Sequence, residues 1–380
     1  MTSSINTPIL SVALVGCGKI SVKHLKAILK QKDHFRLCAL VDPVEHAPAA
    51  LLSACGITGP NKDAFLSDVK IYRDINRMLE SVKPDVVSIT VPSGMHYEMA
   101  KSAMLSGSHV FLEKPMTMKI SEAAELVELS ASTGRKIAMG HIYRYFPVIG
   151  LIQRDLHDGV FGMLSHGAVT VRWGHDQQYY DQAAWRGTWK FDGGALMNQT
   201  IHALDLMCFL MCSTPEYVTG LLAKRFRNIE AEDIGMAVIR MKNGSLCQVE
   251  GTTATSPGDH EASFFINGGN GSVRIGLRKG IPSLDIRDSK GKSLKNKYII
   301  EQIRTKGISS LLQAGNPHHA IYEDLYASIL SGKEPIADAN SGFESVAAVL
   351  AVYLSAKKNK VIRLPLEKDF SSEEMIGFFD

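Results

Sequence analysis

Residues 9–21 read Ile-Leu-Ser-Val-Ala-Leu-Val-Gly-Cys-Gly-Lys-Ile-Ser, and the fold is decided there. Residues 9–15 are an almost unbroken apolar run, the pattern of a parallel strand covered on both faces. Gly16-Cys17-Gly18-Lys19-Ile20-Ser21 follows, a G-x-G-x-x-S in which another small residue stands for the third glycine. From residue 20 to residue 30 the apolar positions Ile20, Leu25, Ile28 and Leu29 keep helical spacing. A strand that turns through two glycines into a helix opens a dinucleotide-binding unit. Gly16 permits the tight turn, Gly18 lets a pyrophosphate reach the backbone, and the helix start offers it unpaired N–H groups. Asp42 closes the next apolar run, residues 35–41, and lies 24 positions after Gly18. There it can accept hydrogen bonds from an adenosine ribose, and with Pro43 and Val44 beside it and no arginine nearby it favours NAD over NADP. Gly16, Gly18, Lys19, Ile20 and Asp42 are the candidate cofactor residues. The plainer alternative is a structural turn with a surface aspartate.

Outward from this stretch the same rhythm runs to about residue 140. Residues 85–91, 109–112 and 136–139 read as strands, with helices over 95–105 and 121–132 closed by Gly107 and Gly134. Repeated strand-then-helix units predict a doubly wound parallel sheet, a Rossmann domain over residues 1–142. Past residue 145 hairpins replace the alternation. Residues 165–173 and 218–226 read as strands, 234–241 turns at Asn243-Gly244 into 246–253, and 262–266 turns through Gly268-Gly269-Asn270-Gly271 into 273–275. Residues 143–380 are therefore expected to form an α+β domain on a large, mainly antiparallel open sheet, serving substrate binding and oligomerisation. Two helices near 319–330 and 342–357 complete it, with His318-His319 after Pro317 marking a helix start.

Composition excludes several classes. The 380 residues are 45% hydrophobic and 21% charged, with 42 Lys and Arg against 39 Asp and Glu. A net charge of +3 is too balanced for a nucleic-acid or polybasic membrane partner. The six cysteines are scattered through apolar runs and read as reduced thiols of a cytoplasmic protein. No apolar run reaches the roughly 18 residues of a membrane span. Cys208 and Cys212 near His202 imitate ligand spacing without a second pair, so no metal is expected.

The chemistry gathers at strand ends. Val91-Pro92-Ser93-Gly94-Met95-His96 leaves the fourth strand at the carboxyl edge, where open α/β sheets bind ligands, making Pro92, Ser93 and His96 cofactor candidates. Glu113-Lys114-Pro115 leaves the fifth strand at the same edge. Neighbours and a nicotinamide cation would lower the pKa of Lys114; the alternative for Glu113 and Lys114 is a solvated charge pair. With Asp192-Gly193-Gly194, His202 and Asp205, these motifs resemble the Gfo/Idh/MocA oxidoreductase family over nearly the whole chain. Within it, residues 179–199 are most similar to the bacterial UDP-N-acetylglucosaminuronic acid 3-dehydrogenases, which serve surface-polysaccharide sugar synthesis.

That resemblance implies NAD-dependent oxidation of a sugar hydroxyl to a ketone, at C3 of UDP-N-acetylglucosaminuronic acid. It implies Lys114 and His202 as the catalytic pair. Asn198 stands where most relatives carry aspartate; an amide is no base and can only orient a hydroxyl. The substrate set would be Lys114, Arg144, Tyr179, Arg186, Asn198 and His202, and Glu113, Lys114, Trp185 and Arg186 would join the cofactor set. Arginine suits a diphosphate or a carboxylate because its fork meets two oxygens. For the aromatic residues, Trp189 included, packing between domains is an equal alternative. The implied partners are a nucleotide sugar, 2-oxoglutarate as a hydride acceptor, and further copies of the chain in a homodimer or homotetramer. A free-sugar or inositol dehydrogenase, a sugar C3-ketoreductase or a non-catalytic NAD-binding sensor are the alternatives; Lys114 and His202 argue against the sensor.

Overall fold

Six short apolar strands build the first sheet: β1 (Leu10–Val15), β2 (Phe35–Val41), β3 (Lys70–Tyr72), β4 (Val86–Ile89), β5 (His109–Leu112) and β6 (Ile137–Met139). The computed structural model, which describes residues 8–380, orders them β3-β2-β1-β4-β5-β6, all parallel. The inner strands are mostly buried on both faces, β4 with all four residues, whereas β3 at the sheet edge is largely exposed. This is the doubly wound Rossmann order, and its switch point falls between β1 and β4, where β1 delivers Gly16.

The chain divides into two compact units. The first holds the residues up to Glu113, Glu125–Gly140 and Asn316–Ala339; the second holds Lys114–Ala124, His141–Gly315 and Asn340–Asp380. Helix His318–Ser331 thus belongs with the first sheet, where Tyr322 packs on Phe111 and Phe35 at ring-centroid distances of 4.8 and 5.5 Å.

The second unit is built on eight strands: β7 (Leu164–Trp173), β8 (Pro215–Ala223), β9 (Ile234–Met241), β10 (Leu246–Thr252), β11 (His260–Gly268), β12 (Gly271–Arg278), β13 (Ile281–Asp288) and β14 (Ile362–Arg363). Their order is β13-β12-β11-β7-β10-β9-β8-β14, antiparallel throughout except where β7 meets β10. The Asn243-Gly244 hairpin forms as expected, with Gly244 at φ +85°. Along β9 burial alternates residue by residue, so one face is covered and the other is not. Helix Ile201–Met211, with most of its residues buried, packs against β7. β13 goes unread in the sequence because Pro282 interrupts its pattern; it pairs with β12 alone, at the sheet edge where proline is tolerated. Among the described residues no helix is long and apolar enough to cross a membrane.

Candidate active site

In the first unit, the turn after β1 is fixed by sterics. Gly16 sits at φ +89°, and a Cβ there would come within 2.8 Å of the Thr90 carbonyl oxygen at the end of β4. Gly18 is the opposite case, with open space where its Cβ would be. Ser21 is fully buried and its hydroxyl donates to the Gly18 carbonyl, which explains a small residue at the third position. Helix Ser21–Lys30 starts with no side-chain cap and no acidic residue in its first turn, leaving its N–H groups for an anion. Asp42 accepts from the Cys17 N–H at 2.8 Å and from the Val44 N–H at 2.9 Å, so its carboxylate is held at the rim of this turn. Lys19 is exposed and Ile20 half-buried beside it. The residues fit a dinucleotide: room at Gly18, free helix donors and an oriented carboxylate.

The other strand ends are braced from beneath. His96 is buried and its Nε2 lies 3.0 Å from the Val91 carbonyl, tying together the loop that carries Pro92 and Ser93. Glu113 is buried rather than part of a solvated pair. Its Oε1 meets His24 Nε2 at 2.9 Å and His318 Nε2 at 3.1 Å. His24 Nδ1 in turn lies 2.9 Å from the Ser88 hydroxyl, which accepts from Tyr322 at 2.8 Å. Burial pushes the Glu113 carboxyl up, but the two imidazole hydrogen bonds outweigh it and hold the group well below its usual range. Burial lowers His24 to about 4, so it is neutral at physiological pH. His24, Glu113 and His318 are metal-ligating types with ligand atoms within 4.8 Å of one another. Both Nε2 atoms converge on one oxygen at hydrogen-bond distance, which reads as a polar lock between helix Ser21–Lys30, β5 and helix His318–Ser331.

In the second unit the centre is Lys114, whose Nζ donates to the main-chain carbonyl of Asn198 at 2.5 Å. Asn198 lies in a π-helical turn, Ala195–Thr200, that precedes the regular helix Ile201–Met211. The α-helical spacing begins only at Ile201. Single π turns recur at functional sites because they shift the carbonyl ladder. The turn is built on Gly193 at φ +69° and on Gly194, where a Cβ would lie 2.1 Å from the Glu232 carbonyl oxygen. Glu232 caps it from β9's approach: its carbonyl accepts from the Ala195 N–H at 3.0 Å, and Oε1 accepts from the Leu196 N–H and the Tyr353 hydroxyl, each at 2.9 Å. Complete burial raises Glu232 to about 8.

Asp192 joins these parts, and only its place in the Asp-Gly-Gly motif signalled it. Its Oδ2 accepts from the Gly187 N–H at 2.8 Å and its Oδ1 accepts from Asn198 Nδ2. Asn198 Oδ1 accepts from Gln199 at 2.9 Å, so the Asn198 amide is engaged at both ends. Burial raises the Asp192 pKa, while the Gly187 N–H, the Lys114 charge, the Asn198 bond and the Arg186 charge pull the other way. His202 follows one turn on, half-buried, its ring 5.4 Å from Tyr143 and 6.3 Å from His141.

The remaining candidates divide. Arg144 is buried and bound in a fork to Asp205, Nε to Oδ2 at 2.8 Å and Nη2 to Oδ1 at 2.7 Å, above the Phe209 ring. Its guanidinium therefore meets a carboxylate of the protein itself. Trp189 is fully buried edge-on to Tyr353 at 5.1 Å and serves the core. Trp185, Arg186 and Tyr179 form one stack, with the Arg186 guanidinium 4.1 Å from the Tyr179 ring centroid and 5.4 Å from that of Trp185.

Residues 10–141 match the oxidoreductase family with an NAD-binding Rossmann fold, and residues 151–274 match the GFO/IDH/MocA C-terminal domain. Among solved structures, the WlbA dehydrogenase of Bordetella pertussis, in complex with NADH and UDP-GlcNAcA, is 29% identical. The alignment covers 96% of this chain and 100% of that one, with a TM-score of 0.84. WlbA of Chromobacterium violaceum, also with NADH and UDP-GlcNAcA, is 29% identical over 95% and 97% of the two chains, with a TM-score of 0.81. The scyllo-inositol 2-dehydrogenase (NAD(+)) of Bacillus subtilis is 24% identical over 70% of this chain and 73% of its own.

Proposed function

The chain belongs to the Gfo/Idh/MocA oxidoreductase family and is an NAD-dependent dehydrogenase, and from that premise we propose that it oxidises C3 of UDP-N-acetylglucosaminuronic acid. The observation that carries the reading is the Lys114 ammonium seated on the Asn198 carbonyl, beside Asp192 and one turn before His202. Lys114 donates a hydrogen bond to the reacting hydroxyl and stabilises the negative charge that grows on its oxygen. His202 takes the hydroxyl proton, the general-base task that imidazoles most often perform. Asn198, engaged at both ends of its amide, holds the turn and takes no proton. NAD, when bound at the Gly16–Gly18 turn, accepts the hydride. Two nucleotide-sugar dehydrogenases of similar fold over nearly the whole chain support the substrate class.

The test is NADH absorbance with NAD and UDP-N-acetylglucosaminuronic acid, with and without 2-oxoglutarate, beside free glucuronate and inositol. Reduction with the nucleotide sugar alone, or turnover that needs the oxo acid, supports the reading; the second result also marks 2-oxoglutarate as the hydride acceptor. Turnover of inositol with silence on the nucleotide sugar would replace it with a free-polyol dehydrogenase, the activity of the Bacillus relative.

Self-association belongs to the same proposal. On the uncovered face of the second sheet Leu221 is 71% exposed and its cross-strand neighbour Met236 is 52% exposed, with Val238 and Leu246 nearby. A patch of that kind is unusual on a monomer. Light scattering on the eluting protein should give a dimer or tetramer mass, and Leu221→Lys with Met236→Lys should shift it toward the monomer.

A further inference from the structure

The Arg186 guanidinium is held by its face. Its guanidinium lies over Tyr179, which is itself stacked on His175 at 3.7 Å and an interplanar angle of 4°. Stacking engages the face of a guanidinium and leaves its N–H edge open. Nε and Nη1 are shut off from solvent and have no hydrogen-bond partner among the described residues. Buried donors in folded proteins are nearly always paired, so an arginine fixed by its face with its edge unused is a preformed anion receptor. Arg144 makes the contrast: the same side chain, in the same unit, closes its fork on Asp205.

Arg186 also sits close to the reacting centre. The next residue, Gly187, donates its N–H to Asp192, whose other oxygen holds Asn198, whose carbonyl receives Lys114. Gly187 stands at φ +67°, with Ile229 where a Cβ would be, so this link does not drift. Lys114 and Arg186 both act electrostatically on the one Asp192 carboxyl. The buried nitrogens of Arg186 therefore lie within electrostatic reach of the carboxyl that holds Asn198.

We propose that Arg186 receives a carboxylate carried on the sugar ring, so that the enzyme selects uronic acids over the neutral sugars that share their ring. The inference rests on the dehydrogenase reading and names the group that decides its substrate. A planar two-oxygen anion matches the edge of a planar guanidinium that already lies over the Tyr179 ring. The diphosphate of a nucleotide sugar is the rival occupant, and the experiment separates the two.

Calorimetry in the presence of NADH should compare UDP-N-acetylglucosaminuronic acid with UDP-N-acetylglucosamine on wild type, Arg186→Gln and Arg186→Lys. The acid should bind wild type about 100-fold more tightly, and Arg186→Gln should bring the two within about threefold by weakening the acid alone. Arg186→Lys keeps the cation without the planar fork and should retain part of the preference; it also reads the result if the glutamine variant melts early. Equal weakening of both ligands would put Arg186 on the diphosphate and overturn the proposal, as would a wild type with no preference for the acid. If neither nucleotide sugar binds, the nucleotide-sugar reading falls, and glucuronate against glucose decides the Arg186 question by the same criterion.

Discussion

Lys114→Ala should lower kcat by about 10³-fold, the loss expected when a donor aimed at a developing oxyanion is removed. KM for the sugar should move far less, because the ammonium interacts more strongly with the alkoxide-like oxygen than with the neutral hydroxyl. The half-buried ammonium donates to a main-chain carbonyl rather than to a buried carboxylate, so folding should change by only a few degrees in melting temperature. His202→Asn should lower kcat by about 10²–10⁴-fold. The two variants together should cost little more than the worse one, since residues that handle one proton act as a unit. Steady-state NADH formation from pH 5.5 to 9 reads all three outcomes. A Lys114→Ala enzyme that keeps wild-type kcat would leave the site without its central residue.

What was legible in the sequence was local. The runs at residues 9–15, 35–41 and 109–112 read as parallel strands because they are nearly all apolar, with Ser11, Arg36 and His109 the polar exceptions, and β1, β2 and β5 are where they were expected. Gly16 was legible because its reason, a tight turn against β4, lies within one strand–turn–helix unit. The π turn was not. It follows from the close approach of Gly194 and Glu232, which no spacing within residues 195–211 encodes. The lock on Glu113 joins residues 89 and 205 positions away, so the motif around Lys114 told of a strand end but not of buried imidazoles. His318 reads as a helix start and is one, yet its side chain faces this lock rather than a substrate. Arg144 and Arg186 are indistinguishable as letters; only their partners separate a closed fork from an open one.

Two buried groups that escaped the sequence contribute to the pH dependence of stability with opposite signs. His24 is fully buried and lowered from 6.5 to about 4 by that burial. Between those values the unfolded chain binds a proton that the folded one refuses, so the His24 contribution is complete above pH 6.5 and is lost as pH falls through 4. Glu232 is raised from 4.5 to about 8 by burial. Here the folded chain binds the extra proton, so its contribution is complete below pH 4.5 and is lost as pH rises through 8. By linkage each slope is about 1.4 kcal/mol per pH unit. Relative to His24→Gln, wild type should lose about 3 kcal/mol from pH 6.5 to 4. Relative to Glu232→Gln, it should lose about 5 kcal/mol from pH 4.5 to 8. The two contributions oppose one another between pH 4.5 and 6.5, where His24 favours higher pH and Glu232 lower. Urea midpoints at pH 4.5, 5.5, 6.5 and 7.5 for the three proteins measure both differences. If the two differences run in the same direction, burial does not control these groups; if both are flat, the folded chain lets water reach them.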